Sequence, residues 1–273
     1  MSIIVPAVLL GLIVGSFLNV VVYRLPRGEG LLRPGSRCPV CKIPIKAYDN
    51  IPIWSFLWLK GRCRACEARI SWRYPLVEAL TALLFVFVLG RFGISVRSLF
   101  LLLFLSALVV VTFIDFEHQM IPHAITLVGI PLGLLGSVVT QEPPFPDALV
   151  GAFAGAGLLY LVAVYGEVLL KRECMGGGDV NLLGMIGAFL GLKKMLLALF
   201  FGAMLGSVIG LALLGGRMSA VGGRNVSFSL HHPPSDTPFE GTRIPFGPFL
   251  AGGAAVALFF GEDLIRWYFS LLR

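Results

Sequence analysis

Eight apolar runs, near residues 3–23, 75–91, 97–114, 122–139, 147–169, 179–192, 194–214 and 246–269, leave this chain few folds to choose from. An apolar run of about 20 residues spans the hydrocarbon core of a bilayer as a helix. A helix is also one of only two structures that satisfy every backbone polar group in lipid. Composition agrees: of 273 residues, 57% are hydrophobic and 14% charged, and mean hydropathy is +0.87, whereas a soluble domain carries about 25% charged residues. The expectation is an all-α, polytopic integral membrane protein of about eight transmembrane helices, with no separate soluble core. The run 179–192 is short for a full crossing and is expected to be tilted or paired with its neighbour. The first run has no basic leading region and no small-x-small site before Arg24, so it reads as a retained helix.

The net charge is +7, and its distribution decides what it means. Residues 24–74 hold 11 Lys/Arg and 3 Asp/Glu, a local balance of +8, so the rest of the chain nets −1. A basic loop beside a first transmembrane helix marks the cytoplasmic side and lies against anionic lipid headgroups; nucleic acid is not expected as a partner. This topology puts the N-terminus and loop 140–146 outside, and segments 115–121, 171–178 and 215–245 inside. Lys171, Arg172, Arg217, Arg224 and Arg243 agree with it, while Arg91, Arg97, Lys193 and Lys194 do not. The resulting division is a first helix (1–23), a basic insertion (24–74) and a membrane domain (75–273) with a polar loop near 215–245.

The insertion carries two CxxC knuckles, Cys38-Pro39-Val40-Cys41 and Cys63-Arg64-Ala65-Cys66, separated by 21 residues. Four thiolates at such spacing suit a tetrahedral structural zinc, and a cytoplasmic address argues against two disulfides. Zinc would staple a loop too small to build much core alone.

Two acids stand out against the apolar background. Asp115 lies in Thr112-Phe113-Ile114-Asp115-Phe116-Glu117-His118, shortly before Pro122, and Asp179 ends Gly176-Gly177-Gly178-Asp179. Acids near membrane depth are costly and mark functional sites. The topology brings both to the cytoplasmic face. Two carboxylates sharing a site do not both ionise easily, and such a pair suits peptide hydrolysis: one takes a proton from water while the other polarises the scissile carbonyl. Gly176, Gly177 and Gly178 would let a substrate strand approach, and Pro122 would open the turn after Asp115. Other readings stay open at this point. Asp115 would N-cap or terminate a helix at the interface with Glu117 and His118 solvated beside it, Asp179 would cap the next helix, or the pair would serve a transporter's ion or proton path. A non-enzymatic zinc-knuckle membrane adaptor is a further alternative.

Gly11/Gly15, Gly151/Gly155 and Gly202/Gly206/Gly210 read as close helix-packing faces. His231-His232 reads as solvated and Cys174 as a packed thiol. Glu29, Asn50 and Glu78 are candidate polar contacts for methyl transfer near the insertion, with a structural or solvated role as the simpler reading of each.

Taken together, the motifs resemble the bacterial type IV prepilin peptidases, including type II secretion leader peptidases. The resemblance runs through Gly15-Ser16-Phe17-Leu18-Asn19-Val20-Val21, Tyr23-Arg24-Leu25-Pro26, the four cysteines, Ser71-Trp72-Arg73-Tyr74-Pro75, Asp115 with Ile121-Pro122, Gly-Gly-Gly-Asp179, and Ile244-Pro245-Phe246-Gly247-Pro248-Phe249. It implies an intramembrane aspartyl protease of the inner membrane. Such an enzyme cuts the basic leader of prepilins or pseudopilins after a glycine, with Asp115 and Asp179 catalytic. The cysteine-bearing insertion further implies methylation of the new N-terminus with S-adenosylmethionine, although no glycine-rich cofactor fingerprint is present. Asn181 departs from the family pattern, in which many members carry lysine two residues after the second aspartate. The resemblance leaves the oligomeric state unknown.

Overall fold

The computed structural model describes residues 3–33, 35–171, 175–220 and 245–271. In chain order its helices are α1 (Ile4–Arg24), the short α2 (Trp54–Trp58), α3 (Arg73–Phe92), α4 (Val96–His118), α5 (His123–Thr140), α6 (Phe145–Leu170), α7 (Gly177–Ala220) and α8 (Gly247–Leu271). Among the described residues, extended pairing is confined to two isolated bridges, both in the insertion. All the helices except α2 contain a stretch long and apolar enough to cross a bilayer. The chain is a multi-pass membrane protein.

The eighth expected segment is found inside α7, which is two helices meeting at Gly191. There φ is 75° and ψ 174°, and a Cβ would lie 2.2 Å from Asp147 Oδ2; glycine alone meets both constraints. The Asp147 carboxylate accepts the Leu192 N–H at 3.4 Å, serving the first turn of the second half. Contacts on either side show that the chain reverses here. Before the break, Leu183 and Gly187 meet Gly155 and Gly151 of α6. After it, Lys194 pairs with Glu262 while Ala198 and Gly202 meet Gly253 and Leu250 of α8. The first half is short because it is central: Leu182, Leu183, Met185, Ile186 and Ala188 are all inaccessible, as befits a helix apolar on every face.

Small residues set the helix spacing, since lipid supplies no hydrophobic drive between helices. A Cβ on Gly187 would lie 2.1 Å from the Gly151 carbonyl oxygen, and on Gly253 2.2 Å from that of Ala198. Gly11 and Gly15 meet the α3 backbone at Ala82 and Glu78, while Gly202 and Gly206 meet Phe249 of α8. These are the packing faces expected at 11/15, 151/155 and 202/206. Phe104 of α4 stacks on Phe189 of α7 at 4.6 Å between ring centroids, filling the centre.

Two differences from expectation follow. α7 continues to Ala220, so residues 215–220 are helical where a loop was expected. Residues 221–244 lie outside the described residues, with Arg224, His231, His232 and Arg243, as do Arg172 and Cys174. The basic residues that disagreed with the topology are mostly paired: Arg91 with Asp263 at 3.1 Å, Arg97 with Glu142, and Lys194 with Glu262 at 2.7 Å. Their charge is locally compensated, and the excess of positive charge stays with the insertion.

Candidate active site

Asp115 lies in the last turn of α4 and is 5% exposed. Asp179 is the third residue of α7 and half-buried. Three elements bring them together around Ile121, in the turn between α4 and α5. A Cβ on Gly178 would lie 2.7 Å from Ile121 Cβ; a Cβ on Gly247, at the start of α8, would lie 3.1 Å from Ile121 Cδ1 and 2.7 Å from Asp115 Oδ2. The Gly247 N–H donates to Asp115 Oδ2 at 3.0 Å. Asp179 is within electrostatic reach of Asp115, and its buried Oδ1 has no hydrogen-bond partner among the described residues.

The capping roles do not describe these positions. α7 begins at Gly177, so Asp179 is inside the helix, and the Asp115 side chain reaches across to α8 instead of closing its own helix. Gln119, in the left-handed region with φ 52°, ends α4, and Pro122, extended at ψ 118°, opens α5. The break after Asp115 is therefore where proline leads one to expect it. The three glycines divide by role. None of them has positive φ; Gly178 is the one pressed against a neighbour, and nothing lies within 4 Å of a Cβ at Gly177. At Gly176 the nearest side-chain atom is Asp179 Oδ2, 3.9 Å away. Open backbone thus borders one side of Asp179.

Three partners near the pair are not apparent from local sequence. Gly247 belongs to a motif of the resemblance, and by local physics it reads as a Gly-Pro step opening an apolar run, a helix-start signal. Glu117, read as solvated, is ion-paired with Arg73 at the start of α3. His123 Nδ1 and Asn181 Nδ2 are 3.0 Å apart, joining α5 to α7 two residues beyond Asp179.

The insertion forms around the four cysteines, all free thiols whose sulfurs lie within 4.8 Å of one another. The two knuckles repeat one pattern. Cys38 N–H donates to Ile43 O and Lys42 N–H to Cys38 O; Cys63 N–H donates to Ala68 O and Glu67 N–H to Cys63 O. Lys42 and Glu67, each just after a second cysteine, are both left-handed, with φ 60° and 56°. Cys38 and Cys66 sulfurs are 3.8 Å apart, the edge of a tetrahedron whose metal–sulfur bonds are about 2.3 Å. The quartet can hold a metal ion. The backbone N–H groups of Cys66 and Ala65 bring the Cys63 thiol down to about 7. The Ala68 N–H acts likewise on Cys66, but loss of solvent and the crowding thiols outweigh it and push Cys66 up to about 11. The insertion is tied to the membrane helices by Asn19 Nδ2, donating to Tyr74 O at 3.0 Å, and by Glu78 Oε2, accepting the Ile53 N–H at 2.7 Å.

Comparison with known proteins adds to this geometry. Residues 9–92 match the family model described as the bacterial peptidase A24 N-terminal domain, and residues 102–211 match that of the type IV leader peptidase family. Both aspartates fall in the second segment and all four cysteines in the first. A prepilin leader peptidase/N-methyltransferase of Aeromonas salmonicida is 37% identical, over 97% of this chain and 93% of that protein. Proteins of the same name from Pseudomonas putida and Pseudomonas aeruginosa are 36% and 35% identical, over 97% and 96% of this chain and 93% and 91% of theirs. No solved structure matches.

Proposed function

This chain belongs to the type IV leader peptidase family, and on that premise we propose that Asp115 and Asp179 are its catalytic dyad. It is an enzyme that removes the leader from prepilins and methylates the product. The observation that carries the dyad is the convergence of α4, α7 and α8 on Ile121, which sets the Gly247 N–H against Asp115 and Asp179 within its electrostatic reach.

The Gly247 N–H and the positive end of α8 complement a negative carboxylate. We therefore give Asp115 the role of base, taking a proton from water as that water attacks the scissile carbonyl. Asp179, in its protonated form, donates to the carbonyl oxygen. The proton on Asp115 then passes to the leaving amine as the C–N bond breaks, Asp179 takes back a proton from the gem-diol hydroxyl as the carbonyl re-forms, and the dyad returns to one proton shared between two acids. The exposed Gly176 and Gly177 leave room beside Asp179 for extended substrate backbone.

The finer reading follows the family. Cleavage falls after a glycine in prepilins or pseudopilins, at the cytoplasmic face of the inner membrane, where the basic insertion meets anionic headgroups. Cys38, Cys41, Cys63 and Cys66 would hold zinc as four protein ligands, which suits a structural role. S-adenosylmethionine, when bound, supplies an activated methyl group for the new N-terminal amine. Incubating the purified protein with a prepilin in lipid and weighing the product tests this reading. A shortened pilin, heavier by one methyl group only when S-adenosylmethionine is present, is expected. Intact prepilin would contradict it.

A further inference from the structure

The short helix of the insertion carries an apolar face that no described residue covers. In α2, Trp54, Leu57 and Trp58 are 63%, 60% and 71% exposed. Their spacing of i, i+3 and i+4 sets all three on one side of the helix. The opposite side is held by the protein. Ser55 is buried, donating to the Tyr48 carbonyl and accepting the Ile51 N–H. Phe56 packs edge-on against Trp72, with 4.8 Å between ring centroids.

The height of α2 against the membrane helices decides what the open face meets. Asn19 of α1 donates to the Tyr74 carbonyl at the start of α3, and Gly15 meets Glu78 one turn further in, so the two helices run in register. The Ile53 N–H, at the entrance to α2, donates to Glu78 Oε2 at 2.7 Å. Glu78 is five residues inside α3 from Arg73, or about 7.5 Å along its axis, and Asn19 is equally far from the end of α1 at Arg24. The turn before α2 keeps the same height: Asn50 and Pro52 share a cavity with Ile13, Ser16 and Phe17 of α1. Whether the bilayer boundary runs through Arg73 or through Arg24, α2 lies at it or beneath it. The composition suits that layer. α2 itself has no charged residue, while Lys42, Lys46, Lys60 and Arg62 around it are exposed, and residues 24–74 carry 11 Lys/Arg against 3 Asp/Glu. Tryptophan favours the membrane interface. An apolar helix face flanked by lysine and arginine settles at the boundary of headgroups and acyl chains, drawn further by anionic lipid.

We propose that α2 is seated in the lipid leaflet on the dyad's side of the membrane, with Trp54, Leu57 and Trp58 among the upper acyl chains and Lys60 and Arg62 at anionic headgroups. The Arg73–Glu117 pair fixes the side, because it joins the start of α3 to the end of α4 that carries Asp115. The contact also sets the cysteine quartet against the membrane surface. Gly61 N–H donates to the Phe56 carbonyl and Ile70 N–H to the Gly61 carbonyl, so the second knuckle is built directly on α2. The proposal rests on the membrane-spanning helices and on neither enzymatic activity.

Tryptophan fluorescence of the full-length protein in lipid nanodiscs tests it. Trp72→Phe with Trp267→Phe leaves Trp54 and Trp58 as the remaining tryptophans, and leader cleavage shows that this variant is folded. In discs of phosphatidylcholine and phosphatidylglycerol, bromine on the acyl chains near the headgroup should lower the emission by about half, as for side chains at the acyl boundary. Bromine near the chain ends should lower it less, and iodide in the water should have little effect. Quenching by iodide and not by bromine would place α2 in water and overturn the proposal. Quenching by neither would mean that a second copy or another protein covers the face, and would overturn it as well. A phospholipid with a diazirine at the head of its acyl chain repeats the test on the unaltered protein. Adducts within residues 54–58 are expected, and adducts confined to the membrane helices would overturn the proposal.

Discussion

Gly247 and Gly177 both open helices beside the dyad, and they differ in what stands next to them. A methyl group at 247 would meet Asp115 Oδ2 at 2.7 Å, whereas one at 177 meets nothing within 4 Å. Gly247→Ala is therefore expected to lower kcat for leader cleavage about a hundredfold, the scale of a 1 Å misplacement at a reacting group. Gly177→Ala should stay within about twofold of wild type, since it fills open space. Gly178→Ala, pressed on Ile121, belongs with the first. Steady-state cleavage of a prepilin by the three variants checks the ranking. At this scale the sequence is legible where chemistry is out of place: two carboxylates amid apolar helices announce themselves. Gly247 is marked only by the motif it shares with the family, because its role lies in a hydrogen bond across 132 residues that no local pattern encodes.

Among the elements, the bundle depends on backbones approaching where no side chain fits. Gly187→Ala would put a methyl 2.1 Å from the Gly151 carbonyl oxygen, forcing α6 and α7 apart. Overpacking of this kind costs about 1–3 kcal/mol, and thermal unfolding in detergent should show Gly187→Ala at the upper end of that range. The Arg73–Glu117 pair fastens the insertion to the helix end that carries Asp115. Reversing either charge alone should impair cleavage, and reversing both should restore part of it, a recovery that loss of packing alone would not produce. Apolar run length made the eight membrane segments readable, including the short one at 179–192. The reversal between 179–192 and 194–214 is legible in the same way, but the device that makes it is not, because it is a left-handed glycine with the Asp147 carboxylate seated against it.

For the whole molecule, charge is unevenly divided. The insertion keeps the excess of positive charge while most of the basic residues at the opposite end are paired with acids. Removing metal from the cysteine quartet should expose residues 24–72 to proteolysis while the membrane helices stay protected. Metal binding displaces protons from thiols. Cys63, with its thiol near 7, is charged above that pH and protonated below it, so metal affinity should fall as pH drops through neutrality. Metal titration at several pH values would register this. The dyad lies in the other segment, and its test is single-turnover cleavage of a prepilin by Asp115→Asn and Asp179→Asn, with metal content measured alongside. Each variant should lose at least about a thousandfold in rate, within the range of a lost general acid or base, and keep its metal. Cleavage by either within tenfold of wild type would contradict the assignment of that aspartate and, with it, the dyad.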